Sequence, residues 1–292
     1  MSKSIKKNAF VILFMNAPHY IHGVLATAYS LRKSNTKNNL VCMLTNDLFI
    51  YKELLENIFD EVIIIPYLIY NNNTRLQTLK QYNIYKNWKN ISYTKWQCLM
   101  LSNYDKICLL DADLIIQKNI DHLFELDNPA GCWGNTWDSE VAYYDEFKYG
   151  NTIDANQINK GLIDGYLVNG HCIILTLTKD IYARFKKFMN KNLYIKNNKC
   201  LAMYDEVAIV KFMISEGKEW QQIGKDYNIV PWKSNNSIES NEPKILHYFN
   251  IPKPWQMQRN KWPDLKIWYD NWDLLIESYP TIKMFLSKIK NI

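Results

Sequence analysis

The order of short apolar runs and helical segments up to Leu110 is the feature that most constrains the fold. Each apolar run has the length and composition of a buried strand, and each intervening segment spaces its apolar residues as a helix does. The predicted strands are Phe10–Met15, Leu40–Leu44, Val62–Ile65 and Lys106–Leu110, and the predicted helices are His22–Lys33, Leu48–Ile58 and Tyr93–Ser102. Strands that alternate with helices are typical of a doubly wound sheet. We therefore predict an α/β fold with a mostly parallel central sheet.

The second half of the chain alternates less regularly. Its predicted elements are a strand at Tyr166–Leu177, helices at Lys179–Met189 and Asp205–Ile214, a strand at Lys244–Tyr248 and one or two surface helices within Ile267–Ile292. Two polar or aromatic segments, Asn71–Asn90 and Gly131–Gly165, are expected to be irregular. Because no repeat or linker interrupts the chain, we predict one domain over residues 1–260 and a C-terminal extension over residues 261–292 that packs on it.

The composition excludes several classes of protein. Apolar residues make up 48% of the 292 residues and charged residues 22%, as in ordinary globular proteins. The net charge of +6 is scattered and no nucleic-acid motif accompanies it, which excludes nucleic acid as a partner. Six cysteines without a C-x-x-C pair favour reduced thiols over a zinc site. Because the sequence shows neither a signal peptide nor an apolar stretch of the ~18–20 residues of a membrane helix, we expect a cytoplasmic protein without a membrane span.

Two carboxylates follow the predicted strand Lys106–Leu110 with one residue between them, at Asp111 and Asp113. In open α/β sheets, ligands bind at the carboxyl ends of the strands. Carboxylates held together repel each other unless a cation lies between them, and Mn²⁺ or Mg²⁺ also binds phosphate oxygens. An Asp-x-Asp pair occurs in solvated turns as well, so the pair alone leaves both interpretations open. The absence of a Walker A or G-x-G-x-x-G pattern argues against other nucleotide enzymes.

Several further segments extend the pattern around the two carboxylates. They are Gly23–Leu31, Thr94-Lys95, Leu110–Ile116, Asn119–Phe124, Asn169-Gly170, Tyr204–Glu206 and His247–Trp255. In this order they resemble the motifs of glycosyltransferase family 8, and the last resembles the family's His-x-x-Gly-x-x-Lys-Pro-Trp signature. The resemblance spans roughly Phe10 to Trp255, and it is more specific than any single motif.

The resemblance implies a GT-A fold, which is a Rossmann-like, mostly parallel sheet flanked by helices. It also implies a nucleotide-sugar donor, usually a UDP-sugar, a Mn²⁺ ion with Mg²⁺ as the alternative, and transfer with retention of the anomeric configuration. The protein metal ligands would be Asp111, Asp113 and His247, and Ala112 would line the donor site between the two carboxylates. Lys253 would contact the diphosphate, where charge develops as UDP leaves.

The same resemblance implies residues for the other parts of the donor. Tyr20 would stack on the base and Asn16 would bond it, in a loop that departs from the family by a one-residue insertion at Pro18-His19. The candidate residues around the donor sugar are Lys95, Asp164, Asn169 and Asp205. Asp205 is also a carboxylate that could steady positive charge at the anomeric carbon.

Three departures from the family pattern bear on activity. Asn250 replaces a Gly that lets backbone approach phosphate, although Asn also tolerates left-handed backbone. It is counted among the donor-binding residues. Glu206 replaces a common Gln and adds a negative charge beside the sugar. The stretch Trp232–Pro243 contains no Tyr, so we expect no self-glucosylation at the position where glycogenin-type members carry their acceptor.

The sequence leaves several alternatives open. Glucose is the favoured donor sugar, but galactose and N-acetylglucosamine fit the same motifs. The acceptor could be a glycan, a lipid, a protein or a small polyol. Members of the family often form dimers, so a homodimer is compatible with the resemblance. The alternative to an enzyme is a nucleotide-sugar-binding protein that keeps the fold and has lost transfer.

Overall fold

The computed structural model describes residues 7–73, 86, 88–127, 129–135, 147–163, 166–196, 198–200, 203–231, 243–259 and 263–289. Its strands are β1 (Asn8–Phe14), β2 (Asn39–Thr45), β3 (Glu61–Ile65), β4 (Lys106–Leu110), β5 (Leu114–Ile116), β6 (Ala130–Asn135), β7 (Thr152–Ile153), β8 (Tyr166–Thr176), β9 (Tyr194–Lys196), β10 (Asn198–Cys200), β11 (Trp220–Gln222) and β12 (Ile245–His247). Its α-helices are α1 (Ile21–Lys33), α2 (Lys52–Leu55), α3 (Ala155–Ile163), α4 (Ile181–Lys191), α5 (Asp205–Ser215), α6 (Pro263–Ser278) and α7 (Pro280–Ile289). Short 3₁₀ helices cover Pro18–Tyr20, Asn46–Tyr51, Ser92–Met100, Asp121–Glu125, Lys225–Tyr227 and Pro254–Gln256.

One sheet of eight strands forms the centre of the fold, in the order β3-β2-β1-β4-β8-β6-β11-β7. The neighbours among β1, β2, β3 and β4 pair in parallel, whereas β8 runs antiparallel to both β4 and β6. The carboxyl ends of β1 to β4 therefore meet at one edge of the sheet, where ligands bind in folds of this type. The expected α/β fold with a mostly parallel central sheet and flanking helices is confirmed.

The two faces of the sheet carry separate apolar cores. Alternate residues of a strand point to opposite faces, so Phe10 and Ile12 of β1 pack with α1, α2, α6 and α7. Ala9 and Val11 face the other side, where they pack with the 3₁₀ helix Ser92–Met100 and with α3, α4 and α5. The C-terminal helices α6 and α7 thus belong to the same apolar cluster as the first helix of the chain.

Most predicted elements are confirmed, with ends that agree to within two residues. This holds for the elements β1, β2, β3, β4, β8, β12, α1, α4 and α5. The C-terminal segment forms two helices, as expected, although α6 begins earlier, at Pro263. The central strand β4 matches its prediction at both ends, so the carboxylates that follow it stand where the sequence places them.

Three local predictions differ from the structure. The segment predicted as one helix over Leu48–Ile58 begins as 3₁₀, with a non-helical φ of −108° at Leu48, and continues as the α-helix α2 only over Lys52–Leu55. The helix predicted over Tyr93–Ser102 is 3₁₀. The irregular structure expected over Gly131–Gly165 is wrong where the structure describes it, because that range contains β6, β7 and α3. Helix α3 begins at a capping box that its polar composition concealed, in which the side chains of Asp154 and Gln157 accept backbone N–H groups reciprocally. Most of Asn71–Asn90 lies outside the described residues.

A second, two-stranded sheet joins parts of the chain that are far apart in sequence. In it β12 pairs antiparallel with β5, and the register sets His247 opposite Leu114. The ladder continues past the strand ends, since the backbone N–H of Tyr248 donates to the carbonyl of Asp113 at 2.9 Å. This pairing brings the late His strand to the segment that directly follows β4.

Two further findings concern the cysteines and the length of the helices. The cysteines with described side chains are all buried and free, and the Sγ atoms of Cys108 and Cys172 lie 3.7 Å apart without a disulfide. Across the described parts of the chain, every helix is too short or too polar to cross a lipid bilayer.

Helix α1 packs without a gap against the segment that follows β4. A Cβ atom added at Gly23 would lie 2.2 Å from the carbonyl oxygen of Ala112 and 2.6 Å from the indole ring of Trp255. Because the first of these atoms belongs to the backbone, it cannot move aside cheaply. The glycine is therefore required by the close approach of three segments.

We expect Gly23→Ala to lower the free energy of unfolding by about 1–3 kcal/mol, the usual cost of overpacking. Helix propensity alone has the opposite sign, because Ala in a helix interior is more stable than Gly by roughly 0.5–1 kcal/mol. Chemical denaturation decides between the two effects, with Lys33→Ala at an exposed position of the same helix as the control. A Gly23→Ala variant that is more stable than the wild type would contradict the close approach.

Candidate active site

Asp111 and Asp113 stand at the carboxyl end of β4, at the edge of the sheet where the parallel strands end. The backbone N–H of Asp111 donates to the carbonyl of His171 on β8 at 2.9 Å, which extends the β4–β8 pairing by one residue. Asp111 is half-buried and Asp113 is buried. Both carboxylates are thus fixed by backbone pairing on two sides, from β8 and from β12.

His247 joins the two carboxylates as a third potential ligand. One side-chain ligand atom from each of Asp111, Asp113 and His247 lies within 4.8 Å of the others. On the far side of the ring, Nδ1 of His247 lies 2.8 Å from Oδ1 of Asn228. Since that amide oxygen only accepts, Nδ1 carries the proton, and in the neutral ring Nε2 presents a lone pair. The bond to Asn228 thereby orients the ring toward the carboxylates.

The chemistry of this cluster fits a divalent cation. Oδ2 of Asp113 accepts a 2.6 Å bond from Lys253, whereas Oδ1 is buried and has no hydrogen-bond partner among the described residues. Nε2 of His247 stands 3.5 Å from that free Oδ1. A lone pair that faces a carboxylate oxygen is repulsive unless a cation lies between them, and oxygen atoms with an imidazole nitrogen suit Mn²⁺. Asp111, Asp113 and His247 could therefore hold such an ion.

The pKa values of the two carboxyl groups differ in direction. Burial raises the pKa of Asp113, but the charge of Lys253 is the largest of the effects that oppose burial, and they hold that pKa well below its usual range. Burial also raises the pKa of Asp111. The charge of Lys95 opposes this effect, but the charge of Asp113 adds to it, so the pKa of Asp111 stays above its usual value. Asp113 is therefore the more acidic member of the pair.

Lys253 reaches the cluster from the loop after β12. Its ammonium group donates to Asp113 and to the carbonyl oxygens of Tyr248 and Phe249, both at 2.9 Å. The same nitrogen lies 5.7 Å from the centre of the Tyr20 ring, within the range of a cation–π contact. The positive charge predicted for the diphosphate thus stands between the metal-ligand cluster and the aromatic ring predicted for the base.

A second charged cluster lies beside the first. Nζ of Lys95 is 3.1 Å from Oδ2 of Asp205 and 3.6 Å from Oε1 of Glu206. Burial alone would lower the pKa of Lys95, but the carboxylates of Asp205 and Glu206 outweigh it and raise that pKa. A Cβ atom added at Gly170 would approach Oε1 of Glu206 to 2.7 Å and Nζ of Lys95 to 3.0 Å. Strand β8 therefore passes close to the charged ends of Lys95 and Glu206 at Gly170.

Hydrogen bonds to the backbone at Asp205 and just before it hold this residue in place. It is the first residue of α5, and its own carbonyl accepts a 3.0 Å bond from the indole nitrogen of Trp96. Just before it, the carbonyl of Met203 accepts hydrogen bonds from the side chains of Tyr93 and Asn72. The 3₁₀ helix that carries Lys95 is thereby tied to the start of α5.

Asn169 and His171 connect β8 with the metal-ligand cluster. Oδ1 of Asn169 accepts the backbone N–H of His171 at 3.2 Å and lies 2.8 Å from its Nδ1. Nε2 of His171 donates to the carbonyl of Tyr227 at 2.6 Å, and its ring stacks on His247 at 4.9 Å between centroids. Burial, followed by the neighbouring His247, lowers the pKa of His171 to about 3.

The loop after β1 carries Asn16 and Tyr20. Asn16 is exposed and adopts left-handed backbone with φ of 64°, and its N–H donates to the hydroxyl of Tyr67 at 3.0 Å. That hydroxyl in turn donates to Asp47, beyond the end of β2, at 2.9 Å. Tyr20 meets Trp255 edge-on at 5.3 Å. Asn16 therefore lies at the edge where β1, β2 and β3 end, and Tyr20 lies next to Lys253.

The remaining predicted positions are less engaged. Asn250 is half-buried, and among the non-glycine residues in the described parts of the chain left-handed backbone occurs at Asn16, Asn35 and Asp180 but not at Asn250. The left-handed geometry weighed for Asn250 is therefore not needed. Asp164 lies outside the described residues, as does most of Trp232–Pro243.

Four residues near the site were not predicted: Asn228, His171, Tyr67 and Asp47. His171 could have been noticed, since it stands two residues after Asn169 on the same strand. The others reach the site through contacts between distant segments, which leave no local signal in the sequence.

Comparison with known proteins agrees with this geometry. A sequence profile of glycosyl transferase family 8 matches residues 11–259. The chain belongs to glycosyl transferase family 8. The mixed α/β fold with its mostly parallel sheet is that of the GT-A glycosyltransferases.

Individual relatives are distant in sequence. The uncharacterized protein R707 of Acanthamoeba polyphaga mimivirus is 28% identical over 291 residues, which are 97% of this chain and 95% of R707. Human glycogenin-1 is 26% identical over 255 residues, which cover 82% of this chain and 68% of glycogenin-1. The crystal structure of the glycosyltransferase GlyE from Streptococcus pneumoniae superposes with a TM-score of 0.56 at 16% identity, over 96% of this chain and 64% of GlyE. At that identity the likeness to GlyE concerns the fold alone.

Removal of the Asn228 amide is expected to weaken Mn²⁺ binding, because the freed His247 ring loses its orientation. Partners of this kind typically contribute about 10–100-fold in metal affinity, and we expect about 10-fold for Asn228→Ala. Electron paramagnetic resonance of free Mn²⁺ measures the affinity, with the exposed Asn119→Ala as the control. Equal affinities of the two variants would show that the bond to Asn228 does not position His247.

The second cluster generates a prediction about pH. Burial, and then the charge of Asp205, raise the pKa of Glu206 to about 8, whereas Glu in an unfolded chain titrates near ~4.3. Between these values the folded chain keeps a proton that the unfolded chain has released, so the free energy of unfolding falls as the pH rises through this window. Glu206→Gln removes this titration, so its stability should decline less than that of the wild type.

We expect the advantage of Glu206→Gln over the wild type to grow by at least about 1 kcal/mol between about pH 6 and about pH 9. Urea denaturation at the two pH values, in chelator, measures the difference. Glu219→Gln at an exposed site serves as the control, and a pH-independent difference for Glu206→Gln would contradict the raised pKa.

Proposed function

We propose that this protein is a retaining, metal-dependent glycosyltransferase that moves a hexose, with glucose favoured, from a UDP-sugar to an acceptor hydroxyl. The observation that carries the proposal is the divided carboxylate of Asp113, with Lys253 on one oxygen and a free, buried oxygen that faces His247. Such a site pairs a cation position with an ammonium group, as the leaving diphosphate requires. Membership of glycosyl transferase family 8 supports the reaction class.

In the proposed reaction, the bond between the anomeric carbon and the β-phosphate oxygen breaks with its electron pair on that oxygen. A bond from the acceptor oxygen to the anomeric carbon forms, and the acceptor proton passes to the departing phosphate. A bound Mn²⁺ or Mg²⁺ ion would supply electrostatic stabilisation of the diphosphate. Asp111, Asp113 and His247 would hold the ion. Lys253 would turn from Asp113 toward the diphosphate, where its charge opposes the negative charge of the departing UDP.

The residues around Lys95 fit the part of the donor that carries the sugar. Asp205 presents a carboxylate that could bond sugar hydroxyls and oppose positive charge at the anomeric carbon. Nζ of Lys95 lies 3.1 Å from the carboxylate of Asp205 and 3.6 Å from that of Glu206, so one ammonium group holds both side chains in place. The side chain of Asn169 would complete the hydroxyl contacts if it exchanged its bond with His171 for one to the sugar.

The base would lie beside Tyr20 and Asn16, since both stand at the carboxyl end of β1. Glucose is preferred over galactose and N-acetylglucosamine on the strength of the likeness to glycogenin-1. The acceptor stays open. We also propose that residues 1–260 form the catalytic domain and that residues 261–292 are an extension packed on it, as the shared apolar cluster with α1 supports.

Hydrolysis of a panel of UDP-sugars tests the proposal without a known acceptor. We expect slow hydrolysis of one hexose donor with Mn²⁺, less with Mg²⁺ and none with chelator. Asp113→Asn should lose about 100-fold or more of the rate, whereas Asp127→Asn, whose side chain is 93% exposed, should keep it. Retention predicts that the free sugar first appears as the anomer present in the donor, which nuclear magnetic resonance detects.

The outcomes separate the enzyme from a binding protein of the same fold. Metal-dependent UDP binding without hydrolysis or transfer would favour the binding protein. The absence of both hydrolysis and metal-dependent UDP binding would overturn the assignment of the metal ligands. Hydrolysis that persists in Asp113→Asn would show that the reaction does not use this site.

A further inference from the structure

Helix α6 contacts the donor site although it lies beyond the part of the chain that matches the family. The match ends at residue 259, and α6 covers Pro263–Ser278. The loop that follows Lys253 runs along this helix. The loop and the helix are joined by hydrogen bonds, an ion pair and ring contacts. Apolar packing alone does not account for these contacts, and the helix lies outside the family match.

The hydroxyl of Tyr269 binds the loop directly. It lies 3.0 Å from the carbonyl oxygen of Pro254 and 2.7 Å from that of Met257, two acceptors at the ends of the same turn. One of these contacts can carry the hydroxyl proton at a time, so the hydroxyl is shared between them. Because Pro254 directly follows Lys253, this contact fixes the backbone next to the ammonium-bearing residue.

Two further contacts close the loop onto the helix. Arg259 binds Asp273 through two parallel hydrogen bonds of 2.6 and 2.7 Å, and its guanidinium lies 4.8 Å from the ring centre of Tyr269. The indole of Trp255 meets that of Trp268 at 5.8 Å. The loop is therefore held at its start, its middle and its end by side chains of one helix.

The helix is itself anchored beneath the metal-ligand cluster. Trp268 is buried in a small core that contains Ile115 of β5, which begins directly after Asp113, and Leu246 of β12, which carries His247. The side chain of Asn271 donates to the carbonyl of Ala26 in α1 at 3.0 Å. A rigid support thus extends from the ladder of the candidate site through α6 to the loop of Lys253.

We propose that α6 is a working part of the donor site, in which Tyr269 is a positioning residue that holds the Lys253 loop at the place where the diphosphate leaves. This inference rests on the function proposed above. The negative charge on the diphosphate is larger in the transition state than in the intact donor. An ammonium group that is poorly positioned therefore stabilises the transition state less, while its effect on donor binding is smaller. Loosening the loop therefore lowers kcat more than it raises KM.

The test compares Tyr269→Phe with Tyr279→Phe. The first change removes the shared hydroxyl and keeps the ring that packs on Trp268 and Arg259. The second removes the same atom from a tyrosine of the same C-terminal segment, whose ring meets Tyr29 and not the loop. Both variants keep an aromatic ring in place, so both are expected to fold with melting temperatures within about 3 °C of each other.

Three measurements follow on each full-length variant with Mn²⁺ present. For Tyr269→Phe we expect the kcat of UDP-sugar hydrolysis to fall about 5–10-fold with KM changed less than about two-fold. The affinity for UDP, which carries the full charge of the leaving group, should weaken by a similar factor. Hydrogen exchange of the loop peptide 253–259 should become faster, because its amides lose their support.

Each outcome decides the inference. The inference would be overturned if Tyr269→Phe matched Tyr279→Phe in kinetics, UDP affinity and hydrogen exchange. A rise of KM with an unchanged kcat would assign Tyr269 to donor binding instead of positioning. If the wild type neither binds UDP nor hydrolyses any donor, the proposed function fails and the role of Tyr269 in it fails too. The exchange of the loop peptide still shows in that case whether Tyr269 holds the loop.

Discussion

The carboxylate of Asp113 is divided between two neighbours, and the arrangement of the site depends on this division. One oxygen binds the ammonium group of Lys253 at 2.6 Å, and the other stays free beside Nε2 of His247. Both neighbours come from the segment at and after β12, so the antiparallel pairing of β5 with β12 is what delivers them. A shift of that register by one residue would turn His247 to the opposite face and leave a buried carboxylate without its partners.

The second cluster offsets the first electrically. Lys95 stands between Asp205 and Glu206, and its charge also reaches Asp111, whose own pKa it helps to restrain. The site as a whole therefore gathers four carboxylates around two ammonium groups within a buried edge of the sheet. Burial and this excess of acidic groups raise the pKa values of Glu206 and Asp111, and a bound cation would offset the excess.

The sequence predicted the frame of the site well, because that frame depends on local patterns. The apolar run of β4 and the carboxylates that follow it can be identified directly in the sequence. The order of motifs assigned His247 and Lys253 to the same site. What the sequence could not show is which groups face each other across distant segments. Asn228 and His171 touch His247 only through tertiary contacts. The capping box of α3 was hidden in a polar segment that resembles a loop.

The ladder between β5 and β12 also has a consequence for the order in which the molecule is built. Asp113 and Lys253, which binds one oxygen of its carboxylate, are separated by 140 positions in the chain. Contacts of such long range require a large loop to close and form late in folding. During synthesis the chain exposes Asp111 and Asp113 long before His247 and Lys253 have left the ribosome. A tightly held cation would therefore require a chain in which the ladder of β5 and β12 has already formed, and metal binding would report on a finished fold.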